Sequence, residues 1–312
     1  MRVAMLFPGQ GSQRVGMASD LVARYPWLVE RRFAAADRLL GTELSRLCWE
    51  GPQERLRQTE NTQPAVFLAS IAVLDALDAE GIRPLAVAGH SLGEYTALVA
   101  AGVLRFQDAL RLVRRRGELM ATVNRRTPGA MAAVVGLPAE TVESVCERVR
   151  EGAGLVEVAN YNAPEQTVVS GERAAVERAG VLATEAGAER VTLLDVGAPF
   201  HCRLMRTVES DFAAELDARP FEDPALPVVA NATGDYVKTG AEAKQALRRQ
   251  VAGPVRWTQT MRRLASDGYD CFIEVGPGRT LTGLSRRVNP DLEAFAVGGA
   301  KSIELLLRKL RG

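Results

Sequence analysis

The chain has 312 residues, 47% hydrophobic and 25% charged, and its 39 basic and 38 acidic side chains leave a formal net charge of +1. That composition belongs to a globular protein, neither fibrous nor disordered, and the length allows one large domain or two of ordinary size. A charge so near zero removes any global electrostatic reason to expect nucleic acid or a membrane surface as partner, so an acidic partner would have to meet a local basic patch.

The first apolar run, residues 3–7, reads as a strand and stops at Pro8-Gly9, before the apolar region of a signal peptide could form. No apolar run is read as approaching the roughly 20 residues that cross a bilayer. The loop Pro8-Gly9-Gln10-Gly11-Ser12-Gln13 is glycine-rich but lacks the Gly-Lys-Ser/Thr ending of a phosphate loop, and Arg14 stands where a dinucleotide fingerprint needs glycine. A nucleotide role is not expected. Helices are expected over 27–40 and 64–79, the second with Pro64 in its first turn.

Residues 85–88 then form a strand-like run that leads through Gly89-His90-Ser91-Leu92-Gly93 into an unbroken helical run, 92–101. This is the layout of a nucleophile elbow, in which serine sits on a strained strand-to-helix turn. Flanking glycines admit neighbouring backbone, and the helix N-terminus presents free N–H groups to growing negative charge. A plain β-to-α turn is the competing reading. The next helix, 106–123, carries Ala109, Leu112, Val113, Arg116 and Met120 on one stripe, so one member of an apolar face is charged.

From about Thr127 the texture changes to strand 130–135, helix 138–150, strands 155–159 and 167–170, helix 172–186 and strand 190–194. That βαββαβ order is the split-βαβ, ferredoxin-like pattern. The expected architecture is α/β, an α/β-hydrolase-like large subdomain formed by residues 1–126 and 197–312 with a ferredoxin-like small subdomain, 127–196, inserted in it. The large unit resumes with helix 204–216, strand 227–230, helices 242–251 and 258–266, strand 271–275, Gly276-Pro277-Gly278 with a helix after it, and a last helix over 302–310. The four cysteines, Cys48, Cys146, Cys202 and Cys271, lie far apart without metal-ligand spacing, which predicts reduced thiols, no metal site and a cytoplasmic location.

A serine hydroxyl needs a base, and the chain has 2 histidines. His90 directly precedes Ser91 on the turn and is badly placed to take its proton, which leaves His201 by elimination; a satisfied core or surface histidine is the alternative. Arg116 lies on the face of Leu112 and Val113, and an inward cation needs an anion, for which a carboxylate is the planar bidentate match. Snorkelling at the edge of the stripe is its alternative.

Phe7-Pro8-Gly9-Gln10-Gly11-Ser12-Gln13, Gly89-His90-Ser91-Leu92-Gly93-Glu94-Tyr95, Arg116-Gly117, Asn160-Tyr161-Asn162, His201-Cys202 and Glu274-Val275-Gly276-Pro277-Gly278, in this order, resemble malonyl-CoA:acyl-carrier-protein transacylases and polyketide synthase acyltransferases. The resemblance implies ping-pong transfer, in which Ser91 takes malonyl from malonyl-CoA and passes it to the phosphopantetheine thiol of an acyl carrier protein. No cofactor is implied, since coenzyme A arrives as the thioester substrate and phosphopantetheine is carried by the partner. His201 would be base and then acid, with a backbone carbonyl at Gln250 holding its tautomer in place of a triad aspartate. Backbone N–H groups of Gln10 and Leu92 would form the oxyanion hole. Arg116 would take the malonyl carboxylate, and Gln10, Gln63, Asn162, Phe200 and His90 would line the acyl pocket; for Gln63 and Asn162, capping of a helix or turn is an equal reading. Phe200, where fatty-acid-type members often carry a small residue, would crowd a substituent on malonyl C2 and leans towards the polyketide branch. The absence of attached synthase modules implies a free-standing enzyme. Arg190, Arg203, Arg206, Arg279, Arg286 and Arg287 supply the expected carrier-protein patch. An acyl hydrolase acting on carrier proteins would use the same serine and histidine with less reason to keep Arg116, and a non-catalytic docking module would not need them.

Overall fold

Among the described residues ten strands form in chain order: β1 (Val3–Phe7), β2 (Ala86–Gly89), β3 (Gly129–Val135), β4 (Val156–Ala163), β5 (Gln166–Glu172), β6 (Arg190–Leu193), β7 (Val228–Val229), β8 (Tyr236–Val237), β9 (Cys271–Val275) and β10 (Glu293–Val297). The computed structural model describes residues 2–126, 128–152 and 154–311; Thr127, where the insert was expected to begin, lies outside them. One sheet has the order β10-β9-β1-β2-β7-β8 and the other β4-β5-β3-β6.

In the first sheet every pairing from β10 to β7 is parallel, and only the terminal β8 runs antiparallel. Parallel strands covered on both faces read as continuous apolar runs rather than alternating ones, which is why β1 and β9 carry scarcely a polar residue. The strand period of two still sorts them: Met5, Phe7, Val87 and Ile273 join one core cluster, while Ala4, Leu6, Ala86, Ala88 and Phe272 join a second on the opposite face. The loops after β1, β2, β7 and β9 leave the carboxyl ends of neighbouring parallel strands, where open α/β sheets bind ligands.

The second sheet is antiparallel throughout. Its strand order is that of the expected ferredoxin-like unit, and helices Ala139–Arg150 and Arg173–Glu185 pack Val142, Val145, Val149, Val176 and Ala179 against one face. Val255, which is outside both sheets but packs in the core cluster of Ala4 and Leu6, ties the antiparallel sheet to the large one: it bonds both ways to β4, accepting from Tyr161 N at 2.9 Å and donating to Ala159 O at 2.8 Å.

Helix Thr59–Ala79 corrects two expectations. It is 21 residues long and apolar enough by length and composition to cross a membrane, yet 78% of its apolar window is buried inside the protein, where it serves as a core helix. Pro64 sits inside it rather than in its first turn. The ring removes the N–H that Glu60 O would accept, and Arg114 Nη1 donates to that carbonyl at 3.0 Å instead. The strands β8 and β10, absent from the sequence reading, are the two edge strands of the large sheet, each paired with the strand that precedes it in the chain.

Candidate active site

Gly89 and Gly93 are required by the close approach of backbone at the turn after β2. A Cβ on Gly89 would lie 1.9 Å from the Gly93 carbonyl carbon, and one on Gly93 would lie 2.0 Å from Phe7 O. Between them Ser91 has φ 53°, a left-handed conformation that costs a non-glycine residue about 1–3 kcal/mol. The turn lifts the Ser91 side chain above the sheet at the start of helix Gly93–Ala100.

His201 reaches it from the segment after β6, itself at φ 59°. Its Nε2 lies 2.7 Å from Ser91 Oγ, and its Nδ1 lies 2.8 Å from the carbonyl oxygen of Gln250. A carbonyl can only accept, so Nδ1 carries the proton and Nε2 is left to accept from the serine hydroxyl. Burial holds His201 down to about 3, with the Arg116 charge pushing the same way. The imidazole is therefore neutral at rest.

Arg116 is 2% exposed, from helix Phe106–Arg126. Its Nη1 donates to Gln63 Oε1 at 2.8 Å, and its Nη2 donates to Gln250 Oε1 at 3.0 Å and to Ser91 Oγ at 3.1 Å. Its Nε has no acceptor, and among the described residues no carboxylate lies within ion-pair distance. Its hydrogen-bond partners are all neutral oxygens and the Tyr95 ring lies 5.7 Å from its guanidinium carbon, so its charge is solvated without an ion-pair partner.

A cavity of about 380 Å³ opens on Ser91 and His201 and runs between the two sheets, walled by Gln10, Met131, Asn162, Val168, Phe200 and Leu281. Neither Gln10 N–H nor Leu92 N–H donates a hydrogen bond among the described residues; Gln10 lines the same cavity as Ser91, and Leu92 follows Ser91 in the chain.

An acyl transferase domain model matches residues 4–294. The malonyl CoA-acyl carrier protein transacylase of Bacillus subtilis is 44% identical over 310 residues, 99% of this chain and 98% of that protein. The chain belongs to the malonyl CoA-acyl carrier protein transacylase family. The protein of that name from Escherichia coli strain K12 is 44% identical across 94% of this chain and 95% of its own. The acyl carrier protein S-malonyltransferase of Vibrio cholerae superposes with a TM-score of 0.93 at 42% identity, over 98% of this chain and 100% of that one. A malonyl-transacylase solved in complex with its type II PKS acyl-carrier protein superposes at 0.94 with 41% identity, over 99% of this chain and 100% of its own.

Within this family frame the remaining predicted residues divide by location. His90 lines the cavity, bonds through Nε2 to Asn162 Oδ1 at 2.8 Å and packs on Trp257 with ring centroids 5.3 Å apart. Burial pushes its pKa down, so it too stays neutral. Gln10 Nε2 is 3.4 Å from Thr59 Oγ1 and Phe200 forms part of the wall. Gln63 is buried behind Arg116, and its amide nitrogen faces Met120 Sδ at 3.6 Å; it caps no helix end. Arg203 of the expected basic patch is committed, since Glu157 accepts from its Nε at 2.7 Å and its backbone N at 2.8 Å. Arg286 donates to Ala294 O at 3.1 Å. Arg190 and Arg279 are exposed.

The sequence reading missed the polar floor beneath Ser91. Gln250 Nε2 donates to Ser91 O and to Glu94 Oε2, both at 2.8 Å. Desolvation lifts the Glu94 carboxyl to about 7, against the pull of Gln250, the Asn231 backbone and Arg116. Asn231, fully buried in the loop after β7, accepts from Ser91 N at 2.6 Å. An acid in the first turn of a helix otherwise buried was the available signal for Glu94; Asn231 had none, because its partners at the turn are 137 to 142 residues away.

Proposed function

We propose that this chain transfers a malonyl group from malonyl-CoA to the phosphopantetheine thiol of an acyl carrier protein, in fatty-acid or polyketide biosynthesis, with Ser91 as nucleophile and His201 as the proton carrier. The observation that carries the acyl assignment is Arg116: a buried guanidinium with only neutral partners, 3.1 Å from the Ser91 oxygen, suits an acyl group that ends in a carboxylate. A carrier-protein hydrolase would have less reason to keep it.

In the first half-reaction Ser91 Oγ attacks the thioester carbonyl carbon while its proton passes to His201 Nε2. The N–H groups of Gln10 and Leu92 receive the oxyanion, each worth about 3 kcal/mol in such a role. Collapse breaks the carbon–sulfur bond, and His201 returns the proton to the departing coenzyme A sulfur. In the second half-reaction His201 takes the proton of the pantetheine thiol, the sulfur attacks the malonyl-serine ester, and the proton returns to Ser91 Oγ. Both exchanges are redox-neutral and complete with these residues and the two thiols, so the reaction calls for no further cofactor.

A base this reluctant to charge gains from the substrate itself. A malonyl carboxylate on Arg116 offsets the positive charge that disfavours imidazolium, and the oxyanion adds a second opposite charge as the proton arrives. Free, buried Cys48, Cys146, Cys202 and Cys271 suit a reducing compartment and support a cytoplasmic location.

The test is intact-mass measurement after mixing with malonyl-CoA or acetyl-CoA in the absence of acceptor. Wild-type protein gains one malonyl group at Ser91. Arg116→Ala loses malonyl transfer by several kcal/mol, because the carboxylate is desolvated without a partner, and keeps or improves acetyl transfer. Equal loss of both would overturn the assignment of Arg116.

A further inference from the structure

We infer that Asn231 is a positioning residue for this reaction: its carboxamide clips the two sides of the nucleophile turn together and so aims Ser91 Oγ at His201. The inference rests on the proposed role of Ser91 as nucleophile. Asn231 Oδ1 accepts from Ser91 N at 2.6 Å, and its Nδ2 donates to Gly89 O at 2.6 Å, so one planar amide grips the residue before the turn and the residue on it. The clip is itself fixed. Asn231 N donates to Glu94 Oε2 at 3.1 Å, in the helix that the turn begins, and Asn231 O accepts from Arg256 N at 3.0 Å.

The arrangement answers two physical needs. Ser91 at φ 53° persists only if its surroundings over-determine it, and its amide, turned away from the ladder of β2, would otherwise be an unpaired donor in a part-buried site. Occupying the Ser91 N–H also leaves the amides of Leu92 and Gln10 as the donors proposed for the oxyanion. Asparagine is the side chain that supplies an acceptor and a donor in one plane at this reach. Asp would keep the acceptor and lose the donor to Gly89 O; Leu has the same branched outline and keeps neither.

The experiment compares wild type, Asn231→Asp and Asn231→Leu as folded full-length proteins. It measures self-malonylation kinetics, the labelling rate of Ser91 with a small fluorophosphonate, and exchange of the Ser91 amide proton. A misaimed nucleophile costs ~10- to 100-fold in rate, so the expected order of acylation and labelling rates is wild type, then Asp, then Leu, with Leu down by about that factor and KM for malonyl-CoA within about threefold. The phosphonate needs no malonyl pocket, so its parallel loss separates aiming of Ser91 from substrate binding and also survives a failure of the malonyl assignment. A folded Asn231→Leu protein that labels at the wild-type rate, or loses only KM, overturns the inference. If neither variant folds, the native protein decides: a Ser91 amide that exchanges as fast as exposed loop amides overturns it, and a protected one supports it.

Discussion

The two sheets of this molecule contribute in different ways to one cavity. The parallel sheet and its helices supply Ser91, Arg116, Glu94 and Gln250, and the segment that follows β6 brings His201 to them; most of these groups are buried and they are bonded to one another. The antiparallel sheet supplies Met131, Ala133, Asn162 and Val168 as wall, with no ionisable side chain among them. The physical lesson is that groups which must titrate or solvate a charge are held by shared hydrogen bonds, Gln250 alone bonding to Ser91, Glu94, Arg116 and His201. The wall needs only shape, and a second unit packed along the seam at Val255 can provide it.

That division breaks if a charge-handling group proves dispensable. His201→Ala leaves Ser91 an ordinary alcohol with its oxyanion donors intact, and self-malonylation should fall by ~10²- to 10⁴-fold while the protein stays folded. Single-turnover mass spectrometry together with a thermal melt checks both halves. His90→Ala, on the cavity wall and 2.8 Å from Asn162 rather than from Ser91, should cost far less; the reverse ranking would transfer the role of base to His90.

A smaller effect concerns Glu94 and appears in stability. Its folded carboxyl titrates near 7 against an ordinary 4.5, so between those values the folded state holds a proton that the unfolded chain has released. Its contribution is therefore most favourable below the unfolded value and is lost as pH rises through the folded one, a difference on the order of 3 kcal/mol. His201, held low instead, acts oppositely and lowers stability as pH falls below its ordinary value. Denaturant unfolding of wild type and Glu94→Gln at pH 5 and pH 8 isolates the acid: the stability of wild type relative to the variant should fall by up to that amount on going to pH 8. No change would mean that Glu94 stays ionised in the fold throughout.

The smallest effect sharpens the meaning of wall. Phe200→Ser should leave malonyl transfer near its wild-type rate and admit methylmalonyl, shifting discrimination by ~1–3 kcal/mol, the worth of one methyl group in an apolar pocket. Competition between the two thioesters measures it. If malonyl transfer fell as far as in His201→Ala, Phe200 would be holding its neighbour His201 in place and the separation of chemistry from wall would fail at that residue.

What the sequence by itself determined is whatever physics enforces over short distances. Gly89 and Gly93 announce a turn where backbone must touch backbone, and Arg116 on the stripe of Leu112 and Val113 announces a buried cation. The change from apolar runs to βαββαβ alternation announces a second unit, and the motifs, taken together, carried the family. The tertiary structure decided the rest. It set Pro64 inside a core helix because Arg114, from another helix, satisfies the carbonyl the ring abandons. It turned Gln63 inward to hold Arg116, and it gave Arg203 to Glu157. It assembled the floor by bringing Glu94 to Asn231 and Gln250, which lie 137 and 156 residues further along the chain. Those contacts leave no local pattern, because a hydrogen bond across the fold constrains where two atoms meet and not the residues beside either one.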